Sequence, residues 1–360
     1  MARKPHDAGS PPGPPRGLWP GLPDSDAEAK GGHRQPMSGP IIQFHDLHPA
    51  RADFEQEVLK GLRQRPRRIP PKFFYDQRGS ALFDAITETP EYYVTRAEIE
   101  ILKARAAEIA AQVGTGSLLV EPGGGSCAKV RILLEGLEPC AYVPMDISRD
   151  HLRMAAERVA ADFPWLEVHA THTDFTRRME IPDAAPEGPR VAFFPGSSIG
   201  NFDPDRAVDF IAAVADLVGP GGFFLIGVDL RKEKALLDAA YNDAQGVTAA
   251  FNLNLLVRIN RELGADFDLG AWRHRAGYHE GAGRIEMHLE SLRRQRVTVA
   301  GETFGFDAGE TIHTENSYKY GLDEFRGLAR RAGMKPVGVW TDQRGLFSVH
   351  LLQSSALGDE

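Results

Sequence analysis

Ser117-Leu118-Leu119-Val120 runs straight into Glu121-Pro122-Gly123-Gly124-Gly125-Ser126, and no other stretch limits the fold of this chain so strongly. A short apolar run that ends in glycines reads as a buried strand and a tight turn, with a helix expected from near Ser126. Glycine lets the backbone take positive φ and lets a ligand come close. A second strand, Ala141-Tyr142-Val143-Pro144-Met145-Asp146, ends in a carboxylate 146 − 125 = 21 positions after the last glycine. An acid at that distance accepts hydrogen bonds from a ribose diol. Turn and acid together predict a nucleotide-cofactor site of the Rossmann type. The third glycine of a dinucleotide fingerprint would fall at position 128, which is Ala128. A glutamate opening the turn, Glu121, favours S-adenosylmethionine, which has no pyrophosphate to seat on a helix N-terminus. A dehydrogenase and a glycine turn without ligand remain alternatives at this level.

Strands and helices alternate after the turn. Leu166–Ala170 and Val191–Phe194 read as further strands, the first leading to Asp174-Phe175 and the second to Gly196-Ser197-Ser198. Asp203-Pro204 pairs an N-cap with proline at the first helical position and opens a helix to about Val218. Gly219-Pro220-Gly221-Gly222 ends it before the strand Phe223–Val228. Val337–Trp340 and Phe347–Leu352, joined by Asp342-Gln343-Arg344-Gly345, form a terminal hairpin. The pattern predicts an α/β fold of the Rossmann-like class I methyltransferase kind. Its doubly wound, mostly parallel sheet would carry an antiparallel terminal hairpin and bind ligands at the carboxyl ends of the strands.

Upstream, residues 53–62 suit a short amphipathic helix, and Ile69–Asp76 an irregular aromatic segment. Thr95-x-x-Glu98 reads as a capping box opening a helix along Ile99, Leu102, Ala106, Ile109 and Val113. Residues 232–319 break the alternation with a helical stretch, Val247–Leu263, and strands around Arg284–Leu292 and Val297–Phe306. These residues and 41–95 are expected to form a second, α+β substrate-binding lobe. Residues 96–231 and 320–360 would form the cofactor-binding domain. Residues 1–40, rich in proline and glycine, are expected to be disordered, and a chain starting at Met37 to stay active.

Composition narrows the function further. The net charge of −8 argues against a nucleic-acid partner, and the basic run Arg63–Arg68 reads as a solvated linker. No apolar stretch approaches the roughly 20 residues of a membrane helix. No signal peptide is visible, so the cytoplasm is expected. Cys127 and Cys140 make no disulfide framework; Cys127, at the expected helix N-terminus, reads as a packing residue beside the loop. His169 and His172 lie three apart without a convergent ligand set, so no metal is expected.

Longer motifs narrow the reading. Lys72-Phe73-Phe74-Tyr75-Asp76, Gly79-Ser80, Leu82-Phe83-Asp84, Pro90-Glu91-Tyr92-Tyr93 and Thr95-Arg96 occur in order. Gly196-Ser197-Ser198-Ile199-Gly200-Asn201, Gly246–Asn252, Arg284-Ile285-Glu286-Met287 and Thr314-Glu315-Asn316-Ser317 follow. From about residue 53 to the C-terminus the chain resembles the ergothioneine-pathway L-histidine Nα-methyltransferases. That resemblance implies transfer of three methyl groups from S-adenosylmethionine to the α-amino nitrogen of histidine, giving hercynine. It implies that Tyr75, Gly196 and Asn201 surround the amino group, with Tyr75 and Asn201 catalytic. Asn201 and Tyr241 would also hold the carboxylate, and Tyr92, Met287, Glu315 and Ser317 would face the imidazole. Gly123, Gly125, Ser126, Lys129, Asp146, Asp174 and Phe175 would bind the cofactor. Two positions depart from the family's commoner residues: Pro122 in the loop, where an aliphatic residue is usual, and Asn316 between the imidazole-facing pair.

Elementary chemistry agrees with these roles. A glutamate and a serine two apart on a strand share one face. Together they accept from and donate to a polar ring. Taken alone, Glu315 would read as a surface carboxylate beside Lys319, Met287 as core, and the tyrosines as packing residues. The reaction requires a neutral amine held about 3 Å from the methyl carbon. Tyrosine faces suit the cation that forms. Whether Tyr75 or water takes the proton stays open. A monomer acting on a free amino acid is expected. Nα-methylation of tryptophan or tyrosine, and a non-catalytic S-adenosylmethionine sensor, are the alternatives.

Overall fold

The glycine-loop strand lies at the centre of an eight-stranded sheet. The structure, a computed structural model, describes residues 41–47, 52–177 and 179–355, so the expectations for residues 1–40 lie outside the described residues. In chain order the first half runs β1 (Ile42–Asp46), α1 (Ala52–Arg63), β2 (Arg67–Arg68), α2 (Gln77–Thr87), α3 (Tyr93–Val113), β3 (Leu118–Pro122), α4 (Arg131–Leu137) and β4 (Ala141–Asp146). Next come α5 (Arg149–Asp162), β5 (Glu167–His172), β6 (Arg190–Phe194), α6 (Pro204–Val218) and β7 (Phe223–Asp229). The insertion carries α7 (Lys234–Ala240), α8 (Val247–Leu263), β8 (Trp272–His279), β9 (Arg284–Ser291), β10 (Gln295–Val299), β11 (Glu302–Phe306) and β12 (Thr311–Tyr318). The chain closes with α9 (Leu322–Arg331), β13 (Met334–Thr341) and β14 (Phe347–Ser354).

The large sheet has the order β1-β5-β4-β3-β6-β7-β14-β13. Strands β1 to β7 in it are parallel, and β14 pairs antiparallel with both β7 and β13. This is the doubly wound sheet with a terminal hairpin that the alternation implied. The reversal of direction between β3–β4 and β3–β6 makes a crevice at the carboxyl end of β3, where ligands of such sheets bind. Every residue of β3 is buried, as central strands covered on both faces require. A second sheet has the order β2-β12-β9-β8, and β10–β11 form a separate hairpin. The described residues belong to one compact unit, residues 39–360.

Four local expectations need correction. Ile42–Asp46, expected in the second lobe, is instead the edge of the large sheet beside β5. The stretch expected as one strand over residues 297–306 folds back as β10 and β11, through Ala300 and Gly301 at positive φ. The helix after the glycine loop begins at Arg131, because residues 123–130 continue as turns with Cys127 at φ 50°. Cys127 is therefore not at a helix N-terminus, and burial raises its thiol pKa. Helix α3 starts at Tyr93, before Thr95, and Glu98 lies inside it rather than capping it.

Candidate active site

Above the carboxyl ends of the central strands lies a cavity. Its walls are Tyr75, Phe83, Ile86, Tyr92, Gly196, Ser197, Ser198, Asn201, Ala240, Tyr241, Thr248, Phe251, Met287, Glu315 and Ser317. All eight residues expected around an amino-acid substrate are among them.

Each wall has a local cause. Tyr75 follows the 3₁₀ turn Pro71–Phe74, and Tyr92 sits at the N-cap of α3. Gly196 leaves β6 at φ 81°, a conformation open to glycine, and delivers the chain to the 3₁₀ turn Ser198–Asn201. That turn lies against β12 so closely that a Cβ on Gly200 would stand 2.7 Å from the Tyr318 carbonyl oxygen. A register shift between His313 and Glu315 brings Glu315 opposite Met287 on β9. Glu315 and Ser317, two apart, then face the cavity together. The remaining wall is aromatic: Tyr75 meets Phe83 and Phe251 with ring centroids 5.8 and 5.7 Å apart, and Tyr92 meets Tyr241 at 6.3 Å.

Burial sets the electrostatics. It pushes the Glu315 carboxyl up to about 7, against the pull of the Lys319 ammonium. Burial also raises Tyr75 well above its ordinary value, with the Glu315 and Asp146 carboxylates adding to the effect. Tyr75 therefore stays a neutral phenol near pH 7 and is no base in its ground state. Tyr92 and Tyr241 are raised by burial as well.

Two buried ionic groups in this region were not expected. Behind the wall, Lys319 donates to Asp229 at 2.8 Å, to Ser317 Oγ at 2.9 Å and to the Tyr241 hydroxyl at 3.1 Å. Asp229 also accepts from the Tyr93 hydroxyl at 2.8 Å and pairs with Lys232. Burial drives Lys232 down to about 8, although Asp229 opposes that shift. Behind Gly196 in the cavity wall, Glu98 is fully buried and accepts from the Gly196 N–H at 2.9 Å and from Lys129 Nζ at 2.5 Å. A capping-box reading of Thr95-x-x-Glu98 hid this role. Lys319 carried one signal, its alternation with Glu315 and Ser317 at two-residue steps.

The expected cofactor residues gather beside Gly196 and Lys129. Gly123 has φ 73°, and a Cβ there would meet the Phe175 ring at 3.5 Å. The Gly125 and Ser148 N–H groups donate to Asp146 at 3.1 and 2.7 Å. Ser126 is exposed on the same loop. Asp174 accepts from Lys72 at 2.8 Å and from Thr176; burial alone would raise its pKa, but these bonds bring it below its ordinary value. Lys129 Nζ would lie 3.5 Å from a Cβ on Gly196, so cofactor loop and cavity share a border. Helix α4 starts 131 − 125 = 6 residues past the last glycine. Its N-terminus is therefore not at the turn, where a dinucleotide's pyrophosphate would need it. Open glycines beside the Asp146 carboxylate, with no helix N-terminus at the turn, fit S-adenosylmethionine.

Among the described residues, no group of three or more His, Cys, Asp or Glu side chains could hold a metal ion. His169 is bonded to His45 and Glu167, and His172 to Asp46 and the Ile147 carbonyl. Among the described residues no helix is long and apolar enough to cross a membrane.

Comparison with known proteins agrees with this geometry. Residues 54–354 match the family of histidine-specific, S-adenosylmethionine-dependent methyltransferases. A histidine N-alpha-methyltransferase of Mycolicibacterium smegmatis is 41% identical over 303 residues, covering 82% of this chain and 93% of that protein. One from Mycobacterium tuberculosis is 42% identical with the same coverage of 82% and 93%. The ergothioneine biosynthesis protein 1 of Neurospora crassa is 33% identical over 302 residues, 81% of this chain but 34% of that longer protein. The chain belongs to the histidine-specific, S-adenosylmethionine-dependent methyltransferase family, and S-adenosylmethionine is its cofactor.

Proposed function

We propose that this enzyme methylates the α-amino nitrogen of L-histidine three times, giving hercynine, the first step toward ergothioneine. One observation carries the substrate assignment: Glu315 and Ser317 face a single cavity from one strand, with Met287 beside them and Asn201 in the wall. A carboxylate and a hydroxyl at that spacing complement the two nitrogens of an imidazole. When bound, S-adenosylmethionine supplies an electrophilic methyl group. The protein's part is to orient and to exclude water. Asn201 and the Tyr75 hydroxyl direct the amine lone pair, and Asn201 takes the carboxylate; Tyr241, expected to share that role, gives its hydrogen to Ser317 Oγ at 2.8 Å instead. The Tyr75 ring takes up the nitrogen as it gains methyl groups and becomes a fixed cation, and Tyr92 faces the imidazole with Met287, Glu315 and Ser317. Burial raises Tyr75, so its phenol orients the amine as a neutral group.

In the same reading, residues 232–319 and the segment up to residue 95 make the substrate lobe, and residues 96–231 and 320–360 the cofactor domain. Strand β1 is then an addition to the cofactor sheet. Asp146 takes the ribose, Asp174 and Phe175 the adenine, and Gly123, Gly125, Ser126 and Lys129 the rest of the cofactor. A monomer acting in the cytoplasm on a free amino acid needs no further partner.

The test is to incubate the purified protein with S-adenosylmethionine and the 20 amino acids and to follow products by mass. A gain of three methylene masses on histidine alone is expected. Methylation of a different amino acid would overturn the roles of Glu315 and Ser317, and cofactor binding without any product would indicate a sensor.

A pH dependence follows from Glu315. Its ionised form accepts the ring N–H, and its carboxyl sits at about 7 because of burial. The KM for histidine should therefore rise as pH falls through about 7, as the carboxylate is lost. In Glu315→Gln the amide oxygen accepts at every pH, so that limb should vanish, leaving the substrate's own ring titration near 6.5. Steady-state KM profiles of both proteins between pH 5.5 and 9 check this. Superimposable profiles would remove Glu315 from ring recognition.

A further inference from the structure

Lys319 lines no part of the cavity, yet its bonds decide what the cavity can offer a ligand. An ammonium has three N–H donors and no acceptor. All three are used here, on Asp229 at 2.8 Å, Ser317 Oγ at 2.9 Å and the Tyr241 oxygen at 3.1 Å. The Tyr241 hydroxyl in turn donates to Ser317 Oγ at 2.8 Å. Ser317 Oγ thus receives two hydrogens, which fills both of its lone pairs. What remains to it is its own hydrogen, and Ser317 faces the cavity. The lysine is held from behind: Asp229 ends β7 in the large sheet and is itself fixed by Tyr93 and Lys232. With Lys319 only 1% exposed, water does not replace its bonds.

We propose that Lys319 is a positioning residue that forces Ser317 to act as a hydrogen donor, so that the site accepts a ring carrying one N–H and one bare nitrogen. The proposal rests on the histidine reading above. Glu315 takes the N–H and Ser317 gives its hydrogen to the bare nitrogen. A neutral imidazole satisfies both. A pyrrole or indole leaves the Ser317 hydrogen unpaired, and an imidazolium sets a second N–H against it. Without the ammonium, a lone pair of Ser317 becomes free, its hydroxyl can turn, and this selection is lost.

The test is a kinetic cycle at pH 8.5 with L-histidine and with 3-(2-pyrrolyl)alanine, whose ring has an N–H and no bare nitrogen. Lys319→Met is expected to raise the KM for histidine about 10-fold or more, the effect of losing one charge-assisted bond network. It should lower the preference for histidine over the pyrrole by a similar factor. In a Ser317→Ala/Tyr241→Phe background the same substitution should change the KM less than about 2-fold, because its targets are gone. A merely structural role would cost the same in both backgrounds. Should Lys319→Met fail to fold with Asp229 left behind, Asp229→Asn/Lys319→Met removes both charges and enters the same cycle. Equal losses in the two backgrounds, or an unchanged histidine preference, would overturn the proposal. Failure of the unsubstituted enzyme to methylate histidine is a separate result and would remove the functional reading itself.

Discussion

Asn201→Ala is expected to lower kcat/KM for L-histidine by about 10²–10³-fold while leaving S-adenosylmethionine affinity within about 2-fold. Asn201 ends the 3₁₀ turn that follows β6, half-buried in the cavity wall. Its neighbours fix the turn without its side chain. Gly200 packs on the Tyr318 backbone, Gly196 is tied to Glu98, and the Gly200 N–H donates to the Ser197 carbonyl at 2.9 Å. Alanine at 201 therefore removes an amide from the cavity and leaves the loop in place. An amine with no group to orient its lone pair spends most of its time misaligned, and misplacement of about 1 Å near the reacting atoms is worth about 10²-fold. The loss should appear in kcat as well as in KM, because the same amide is assigned to amine and carboxylate. Steady-state kinetics with calorimetric titration of the cofactor separates the two. Turnover close to that of the unsubstituted enzyme would sink the role.

The parts of the fold that could be read in the sequence were those governed by local pattern. The alternation from residue 118 to 229, the N-terminal proline of α6 and the terminal hairpin all correspond to strands of the large sheet or to helices between them. Helix α8 spans Val247–Leu263, as its pattern suggested. What failed depended on distant partners. Residues 42–46 pair with β5 across more than a hundred positions, and nothing local marks them as an edge strand. Asp203 precedes a helix in the manner of an N-cap, yet its side chain accepts from Asn316 and the Tyr318 hydroxyl instead. The site was legible through its motifs, and the structure brings those eight residues into one cavity. Lys319 and Glu98 were hard to place from sequence alone, because a buried charge is recognised by its partner and the Lys319–Asp229 and Glu98–Lys129 pairs span 90 and 31 positions.

Glu98 leads to the second large effect. Glu98→Ala is expected to cost about 3–5 kcal/mol of stability, the usual consequence of removing one partner from a buried pair. Its carboxylate is fully buried and holds both Lys129 and the Gly196 N–H. Lys129 belongs to the cofactor loop and Gly196 to the cavity wall, so one side chain ties the two halves of the site. Room for it exists because residue 227 is glycine: a Cβ there would stand 2.0 Å from Glu98 Oε1. Glu98→Gln is the more telling variant. Its carbonyl oxygen still accepts from Gly196, while the ion pair with Lys129 is gone. Thermal unfolding should show a smaller loss than for alanine. Calorimetry should show weaker S-adenosylmethionine binding, and kinetics a KM for histidine raised less than the cofactor's. Gly227→Ala should reproduce the stability loss of Glu98→Ala, since it drives the carboxylate from its place without changing its charge. If Glu98→Gln binds cofactor and substrate with unaltered constants, the carboxylate is packing material and the two halves of the site are joined elsewhere. If it weakens the cofactor first, the order of the two losses follows from the geometry: the charge lost faces Lys129, and the acceptor retained faces Gly196.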